Sequence, residues 1–154
     1  MRIHLKLLLD CTSDAAWRAL RDPVVFRAVS WPLTTFTSLE PKGFPELWGP
    51  GQHPVRGRAF GVFPMGDQII DISFPPAPEG VRWVRDSGRG LSGPLALVTS
   101  WRHTMAVSAT HDGRTLYRDE LVFGAGALTP LMVPVFWAFW QWRAARLRRL
   151  APGF

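Results

Sequence analysis

Sixteen consecutive residues without a charge, from Ala127 to Trp142, run into four arginines near the end of the chain. Thr129 and Pro130 are the residue types of a helix N-cap and of a first helical position. At about 1.5 Å per residue the uncharged stretch spans about 24 Å, which is shorter than the roughly 20-residue helix that crosses a bilayer. The segment therefore predicts one long helix of a folded domain, which either kinks or begins at Pro134, a residue without an N–H.

The composition is that of a single globular domain, residues 1–154, with 47% hydrophobic and 19% charged residues. Eight tryptophans and ten phenylalanines predict a wide apolar interior. The single cysteine, Cys11, excludes an intrachain disulfide and a thiolate zinc cluster, and the four histidines are scattered, so no metal or cofactor is predicted. His4 and Lys6 interrupt the N-terminal apolar run, unlike in a signal peptide, which predicts a cytoplasmic protein.

The formal net charge is +6, and almost all of the positive charge is arginine, because Lys6 and Lys42 are the only lysines. A basic balance is compatible with a nucleic acid or an anionic membrane surface as partner. The arginines are spread along the chain apart from the run at its end, and no nucleic-acid-binding motif accompanies them. No nucleic-acid partner is therefore expected, and the sequence does not indicate an oligomeric state.

Short stretches between the two ends predict strands and two short helices. Apolar residues alternate from Ile3 to Leu9, which is the period of a half-buried strand. The segments CTSDAAWRALRDP and DPVVFRAVS have the capping and helix-forming residues of short helices. Six further strands are predicted in TTFTSLE, GRAFGVFPMG, DQIIDISFPPAPEG, VRWVRDSGRG, LALVTSWRHTMAVSATHDG and RTLYRDELVFGAG. The turn HDGR predicts a type I′ hairpin, and EPKGFPELWGPGQHPVRG predicts a mobile loop at a cavity entrance.

Seven antiparallel strands with one apolar face need a cover, and the C-terminal helix is the only element long enough to provide it. We therefore expect an α+β fold in which a seven-stranded antiparallel sheet wraps around the long helix, with two short helices after the first strand. Gly88, Gly90 and Gly93 match the pattern G-x-G-x-x-G, but Pro94 and a strand follow them. Without a helix N-terminus the motif predicts a structural glycine loop rather than a phosphate site.

This order of elements, with GRAFGVFPMGDQII, SWRHTMAV, GRTLYRDELVFGAGALTP and FWQWRAARLRRLA, resembles the START/Bet v 1-like superfamily of polyketide cyclases, lipid carriers and plant allergens. The resemblance covers the whole chain. It implies a helix-grip fold with a hydrophobic cavity between the sheet and the long helix. Members range from binders and transporters to cyclases, dehydratases and hydrolases, so the resemblance implies the fold and not an activity.

Two neighbouring predicted strands carry polar residues on their apolar faces. Strand alternation places His103 on one face with Trp101 and Met105, and Asp119 on one face with Tyr117. Both faces are expected to point inward. A His–carboxylate pair in an apolar pocket can orient a ligand or act as a general base. It can also satisfy its own hydrogen bonds and serve only the fold.

The long helix predicts an apolar stripe that contains one arginine. At 100° per residue the stripe comprises Leu128, Met132, Val135, Phe136, Phe139, Trp140, Leu147 and Leu150. Arg143 falls within it, and an unpaired buried charge costs several kcal/mol, so a carboxylate partner is expected, with Asp119 or Asp71 the candidates. Arg143 either binds an anionic ligand head group or extends to solvent at the cavity rim.

Three functions follow from this interpretation. The favoured one is binding of a hydrophobic or amphipathic small molecule of the lipid, polyketide or isoprenoid class. Its predicted contacts are Trp101, His103, Met105, Tyr117, Asp119, Phe136, Phe139, Trp140 and Arg143. The second is a cyclase- or dehydratase-type enzyme that uses His103 and Asp119. The third is association with a membrane surface, which the sequence disfavours because a helix covering the sheet would leave no apolar stripe for lipid.

Overall fold

Three helices and eight strands form the structure, a computed structural model that describes residues 1–154. The strands are β1 (Arg2–Leu9), β2 (Thr34–Ser38), β3 (Gly51–Ala59), β4 (Phe63–Ser73), β5 (Val81–Asp86), β6 (Arg89–Gly90), β7 (Ser100–Ala109) and β8 (Thr115–Gly124). The helices are α1 (Ser13–Leu20), α2 (Pro23–Ser30) and α3 (Thr129–Leu150). The predicted α+β class and the predicted position of the helices are confirmed.

All strands pair antiparallel in one sheet, in the order β1-β8-β7-β5-β4-β3-β2, and the two-residue β6 pairs with β4. The predicted seven-stranded sheet is therefore confirmed, with β6 as an addition. Helix α3 packs mainly against β1 and α2. Ile3, Leu121 and Phe123 form a buried cluster with Trp140 of α3. The helix thus closes one side of the sheet and leaves space toward β2, β3 and β4.

Both short helices begin where the sequence predicts a cap. Thr12 precedes α1, and its Oγ1 accepts a hydrogen bond from the N–H of Ala15 at 3.3 Å. Asp22 precedes α2, and its Oδ1 accepts from the N–H of Val24 at 2.7 Å. Pro23 takes the first helical position, where its missing N–H costs nothing. The two caps therefore fix where α1 and α2 begin in the connection between β1 and β2.

Helix α3 begins one residue earlier than the predicted cap implies, because Leu128 is the N-cap and Thr129 is already helical. The Oγ1 of Thr129 accepts from the N–H of Ala125 at 2.8 Å and donates to the carbonyl of Gly126 at 2.7 Å. The helix runs through Pro134, so the alternative in which it begins at that proline is wrong. The missing bond of Pro134 falls near the helix N-terminus, in the part of α3 that is most exposed.

The prediction of one strand in GRAFGVFPMG is wrong, because this segment contains a hairpin turn between two strands. Phe60, Gly61 and Val62 connect β3 to β4, and the φ angles of Phe60 and Gly61 are 51° and 72°. Two positive φ angles define a type I′ turn, which matches the twist of the strands on either side. A bulky residue in the left-handed region is uncommon and carries strain. The hairpin therefore holds the aromatic Phe60 at its tip against a backbone preference.

The predicted mobile loop over residues 40–57 is also wrong. Its second part is strand β3, and its Trp48 is buried against Phe26 and Phe44. Pro54 lies within β3, where its carbonyl accepts from the N–H of Leu39 toward β2. The N–H that proline lacks would point to the same side, past the last paired residue of β2, so the ladder with β4 is intact. The glycines and prolines of this segment favoured the prediction of a loop, although part of it forms strand β3.

The turn between β7 and β8 is a hairpin, but it is not the predicted type I′ turn. Only Gly113 has a positive φ, of 78°, whereas a type I′ turn needs two such residues. The N–H of Gly113 donates to the carbonyl of Thr110 at 3.1 Å, and the N–H of Thr110 donates to the carbonyl of Arg114 at 2.9 Å. This pattern is a three-residue loop that ends in a left-handed glycine.

The glycines of GRGLSG pack backbone against backbone. A methyl group on Gly88 would lie 1.8 Å from the carbonyl oxygen of Ile69, and one on Gly90 would lie 2.1 Å from that of Leu95. Gly93 has a φ of +60° and begins the 3-10 turn Gly93–Leu97. The motif therefore holds β6 and this turn on the sheet, which agrees with the structural role that the sequence predicts.

Substitution of Gly90 tests this packing. We expect Gly90→Ala to lower the free energy of unfolding by about 1–3 kcal/mol, because the new methyl group meets backbone that cannot move aside. Gly49→Ala is the matched control, since nothing lies within 4 Å of its added carbon, and its effect should stay within about 0.5 kcal/mol. Urea unfolding measures both, and equal effects would refute the close-packing role.

Candidate functional site

A cavity of about 530 Å³ lies between the inner face of the sheet, helix α2 and helix α3. Of its 38 lining residues 27 are hydrophobic, so its walls are mainly apolar. Its size falls within the range of small-molecule sites in proteins. The abundant tryptophans and phenylalanines therefore do not fill the interior.

All nine residues that the sequence proposes as ligand contacts line this one cavity: Trp101, His103, Met105, Tyr117, Asp119, Phe136, Phe139, Trp140 and Arg143. The strand residues among them come from β7 and β8, whose buried positions alternate as predicted. The alternation of the predicted strand LALVTSWRHTMAVSATHDG also places Leu97 on the inward face, and this is wrong, because Leu97 belongs to the 3-10 turn and is exposed. The period of two thus locates the site from the start of β7 onward.

The carboxylate of Asp119 is the polar centre of the cavity wall. Its Oδ1 accepts from Nε2 of His103 at 2.9 Å and from Nε1 of Trp140 at 2.9 Å. Its Oδ2 accepts from the hydroxyl of Tyr117 at 2.5 Å. All four side chains are buried. Three donors from β7, β8 and α3 therefore converge on one buried acceptor, which satisfies its negative charge.

Opposing effects act on the pKa of Asp119. Burial alone would raise it, but the charge and hydrogen bond of His103, the nearby charge of Arg143 and the hydroxyl of Tyr117 lower the pKa below its ordinary value. The pKa of Tyr117 is raised well above its ordinary value by burial and by the neighbouring carboxylate. Asp119 is therefore the ionised acceptor and Tyr117 the neutral donor of this pair.

The second ring nitrogen of His103 remains available to a ligand. Because an ionised carboxylate only accepts, Nε2 of His103 carries a proton toward Asp119. Nδ1 has no hydrogen-bond partner in the chain, and Arg146 Nε is the only buried side-chain nitrogen or oxygen without one, so Nδ1 is accessible from the cavity. Nδ1 accepts a hydrogen bond from a bound molecule when the ring is neutral and donates one when the ring is protonated, while Asp119 holds the ring in place.

Asp86 is a second carboxylate at the cavity, and the sequence analysis missed it. Its Oδ1 accepts from the N–H of Asp71 and of Gly88, both at 2.9 Å, and its Oδ2 accepts from Nε1 of Trp101 at 3.0 Å. Burial raises the pKa of Asp86 more than these hydrogen bonds and the nearby His103 lower it. The signal was present, because Asp86 is two residues from the inward-facing Val84 on β5.

Arg143 has no carboxylate partner, which corrects the predicted ion pair with Asp119 or Asp71. It makes no ion pair within 4.0 Å and no hydrogen bond. Instead its guanidinium carbon lies 5.0 Å from the ring centre of Trp140 and 5.9 Å from that of Phe139. A half-buried arginine can rest on aromatic faces because their π-electrons attract the cation. Its N–H groups are left without an acceptor at the cavity wall.

The mouth of the cavity carries exposed apolar side chains, which corrects the expectation that no stripe is left free. Val135 and Phe60 both line the cavity and are 68% and 61% exposed. Leu131 and Trp142 extend the exposed stripe of α3, and Phe63 is 65% exposed beside the hairpin tip. The long helix therefore covers only part of the sheet.

No three His, Cys, Asp or Glu side chains gather in a group that could hold a metal ion. No helix is both long enough and apolar enough to span a membrane. The uncharged stretch at the start of α3 contributes Met132, Val135 and Phe136 to the lining of the cavity.

No known family model and no curated protein matches the sequence. Solved structures do match. A protein from Chromobacterium violaceum superposes with a TM-score of 0.67 at 16% identity, over 97% of this chain and 96% of that one. The Aha1 dimer from Colwellia psychrerythraea gives 0.63 at 10% identity, over 98% and 96%. A norcoclaurine synthase point mutant from Thalictrum flavum, in complex with a transition state analogue, gives 0.63 at 14% identity, over 99% and 94%.

These structures cover nearly the whole chain at low identity, so they bear on its fold and not on its activity. The chain shares the fold of these structures, and its antiparallel sheet with a long C-terminal helix is the helix-grip arrangement that the order of its elements predicts. Because a fold does not determine an activity, the function depends on the residues that line the cavity between the sheet and the long helix.

Removal of the Asp119 carboxylate tests its place in the fold. We expect Asp119→Ala to lower the free energy of unfolding by about 3–5 kcal/mol, because three buried donors lose their acceptor. The lowered folded pKa means that the charge stabilises the fold above the unfolded pKa of about 3.9, and that this contribution disappears as the pH falls through the folded pKa. The stability gap between wild type and Asp119→Asn should therefore narrow in acid. A gap that widens below pH 4 in thermal unfolding would contradict this assignment.

Proposed function

We propose that this protein binds a hydrophobic or amphipathic small molecule, of the lipid, polyketide or isoprenoid class, in the cavity between its sheet and α3. The observation that carries the proposal is an open, mainly apolar space of about 530 Å³ in the interior of a chain with eighteen tryptophans and phenylalanines. A chain without a ligand would gain stability by filling this space, since empty volume in a core is destabilising.

The walls and the polar groups have different roles in this proposal. Met105, Phe136 and Phe139 offer apolar surface, and each ligand methylene that leaves water contributes about 0.8 kcal/mol. His103 and Arg143 offer the few polar atoms that can orient the molecule. Affinity therefore comes from the apolar part of the ligand, and orientation comes from its polar part.

Obstruction of the cavity mouth is the direct test. Ala138 is exposed on α3 and lines the cavity, so Ala138→Trp should occupy the entrance without disturbing the core. Ala145 lies two turns further on, is exposed and does not line the cavity, so Ala145→Trp is the matched control. We expect Ala138→Trp to weaken binding of the neutral fluorescent probe N-phenyl-1-naphthylamine about tenfold or more, as 1.4 kcal/mol or more of apolar contact is lost. Equal binding by the two variants would exclude the cavity as the site.

A second candidate function is docking on an anionic membrane surface. An amphipathic ligand would then pass from the membrane into the cavity. It is favoured by the exposed apolar side chains at the mouth, because Phe60 is held outward by a left-handed backbone. Arg58 is exposed next to this tip and supplies positive charge toward anionic lipid. Isolated exposed apolar residues are ordinary, whereas a group of them around a cavity entrance marks an interaction site.

Vesicle binding tests the docking surface. The double variant Phe60→Asn/Phe63→Thr should bind mixed phosphatidylglycerol and phosphatidylcholine vesicles about tenfold or more weakly than wild type, because two aromatic side chains no longer insert. Asn is chosen at position 60 since it tolerates a positive φ. Val24→Thr, an equally exposed position on α2, is the control. Cosedimentation measures binding, and wild type that ignores anionic vesicles would end this candidate.

A further inference from the structure

We propose that the cavity selects amphipathic molecules that carry a single carboxylate, with Arg143 as the group that recognises it. This inference rests on the proposed binding function and names the ligand class of the same site. The acidic side chains around the cavity have hydrogen-bond partners within the chain, whereas the arginines that line it have none.

Both acidic side chains at the cavity are already satisfied by the chain itself. Asp119 accepts from His103, Trp140 and Tyr117, and Asp86 accepts from two backbone N–H groups and from Trp101. Each carboxylate thus has three of its roughly four acceptor positions filled from within the chain, and a cationic ligand would find at most one free position on each. The acids therefore do not form a site for an amine.

The arginines show the opposite state. Arg143 and Arg89 line the cavity, and neither makes an ion pair or a hydrogen bond. A ligand that fills the cavity removes water from Arg143, and its N–H groups then need an acceptor inside an apolar space. A neutral head group satisfies them poorly. A carboxylate matches the planar guanidinium with two parallel hydrogen bonds, which makes it the complementary group.

The surroundings of Arg143 add a second contact for the same head group. The guanidinium of Arg143 lies 5.0 Å from the ring centre of Trp140, and the imidazole of His103 lies 5.1 Å from it. Both groups thus rest on one indole, which is fixed by its bond to Asp119. The accessible Nδ1 of His103 can bond to the protonated oxygen of a carboxylic acid or, when it carries a proton, donate to a carboxylate. The tail then extends along the apolar walls.

Three ten-carbon probes that differ only in the head group test the inference: decanoate, 1-decanol and decylamine, titrated into the protein by isothermal calorimetry at neutral pH. We expect decanoate to bind about tenfold or more tightly than decanol, the lower end of what charge-assisted hydrogen bonds contribute, and decylamine to bind most weakly. Decanol binding as tightly as decanoate, or decylamine binding most tightly, would overturn the selection for a carboxylate.

Arg143→Gln assigns the preference to one side chain. It should reduce the affinity for decanoate about tenfold and leave that for decanol unchanged, so decanol binding also reports that the variant is folded. Arg148→Gln, an exposed arginine of α3 that does not line the cavity, should change neither affinity. An equal loss of decanoate binding in both variants would overturn the role of Arg143. If none of the three probes binds wild type, the cavity function itself fails, and this outcome is distinct from loss of head-group preference alone.

Discussion

The hydrogen bond from the indole of Trp140 to the carboxylate of Asp119 is the one side-chain hydrogen bond between α3 and a strand. It acts together with the bonds from His103 and Tyr117, so one buried charge fixes the helix against two central strands. A buried carboxylate with three donors is costly to disturb, because each donor would lose its acceptor. The position of α3 depends on this hydrogen-bonded centre. The distance between α3 and the sheet, which determines the size of the cavity, depends on it as well.

The cavity stays open because its aromatic side chains pack against one another at its ends. Trp101, Phe136 and Trp140 contact each other near the hydrogen-bonded centre. Phe26 and Trp48 pack together at the opposite end, under α2. Rings in edge-to-face contact gain interaction energy with each other and are rigid. The two groups therefore act as walls, and the space between them stays open.

The cavity-lining residues were predictable where the two-residue alternation of a strand decides which way each side chain points. His103 and Asp119 lie on strands with strict alternation, so their inward direction follows from the sequence. Arg143 was placed on the correct face of α3, but its lack of a partner depends on distances between elements, which no local pattern encodes. Asp86 was missed because two of its three donors are backbone N–H groups, those of Asp71 in β4 and of Gly88 after β5, which no side-chain pattern reveals. Strand β3 was missed because glycine and proline usually mark turns, and Pro54 fits a strand only where its neighbour ends.

The most direct test of the open cavity is a crystal structure of the protein grown with 10-bromodecanoic acid, in which anomalous scattering locates the bromine. We expect a bromine peak between the sheet and α3, with the carboxylate density against Arg143. An empty cavity at saturating acid, or a bromine bound only on the outer surface, would contradict it.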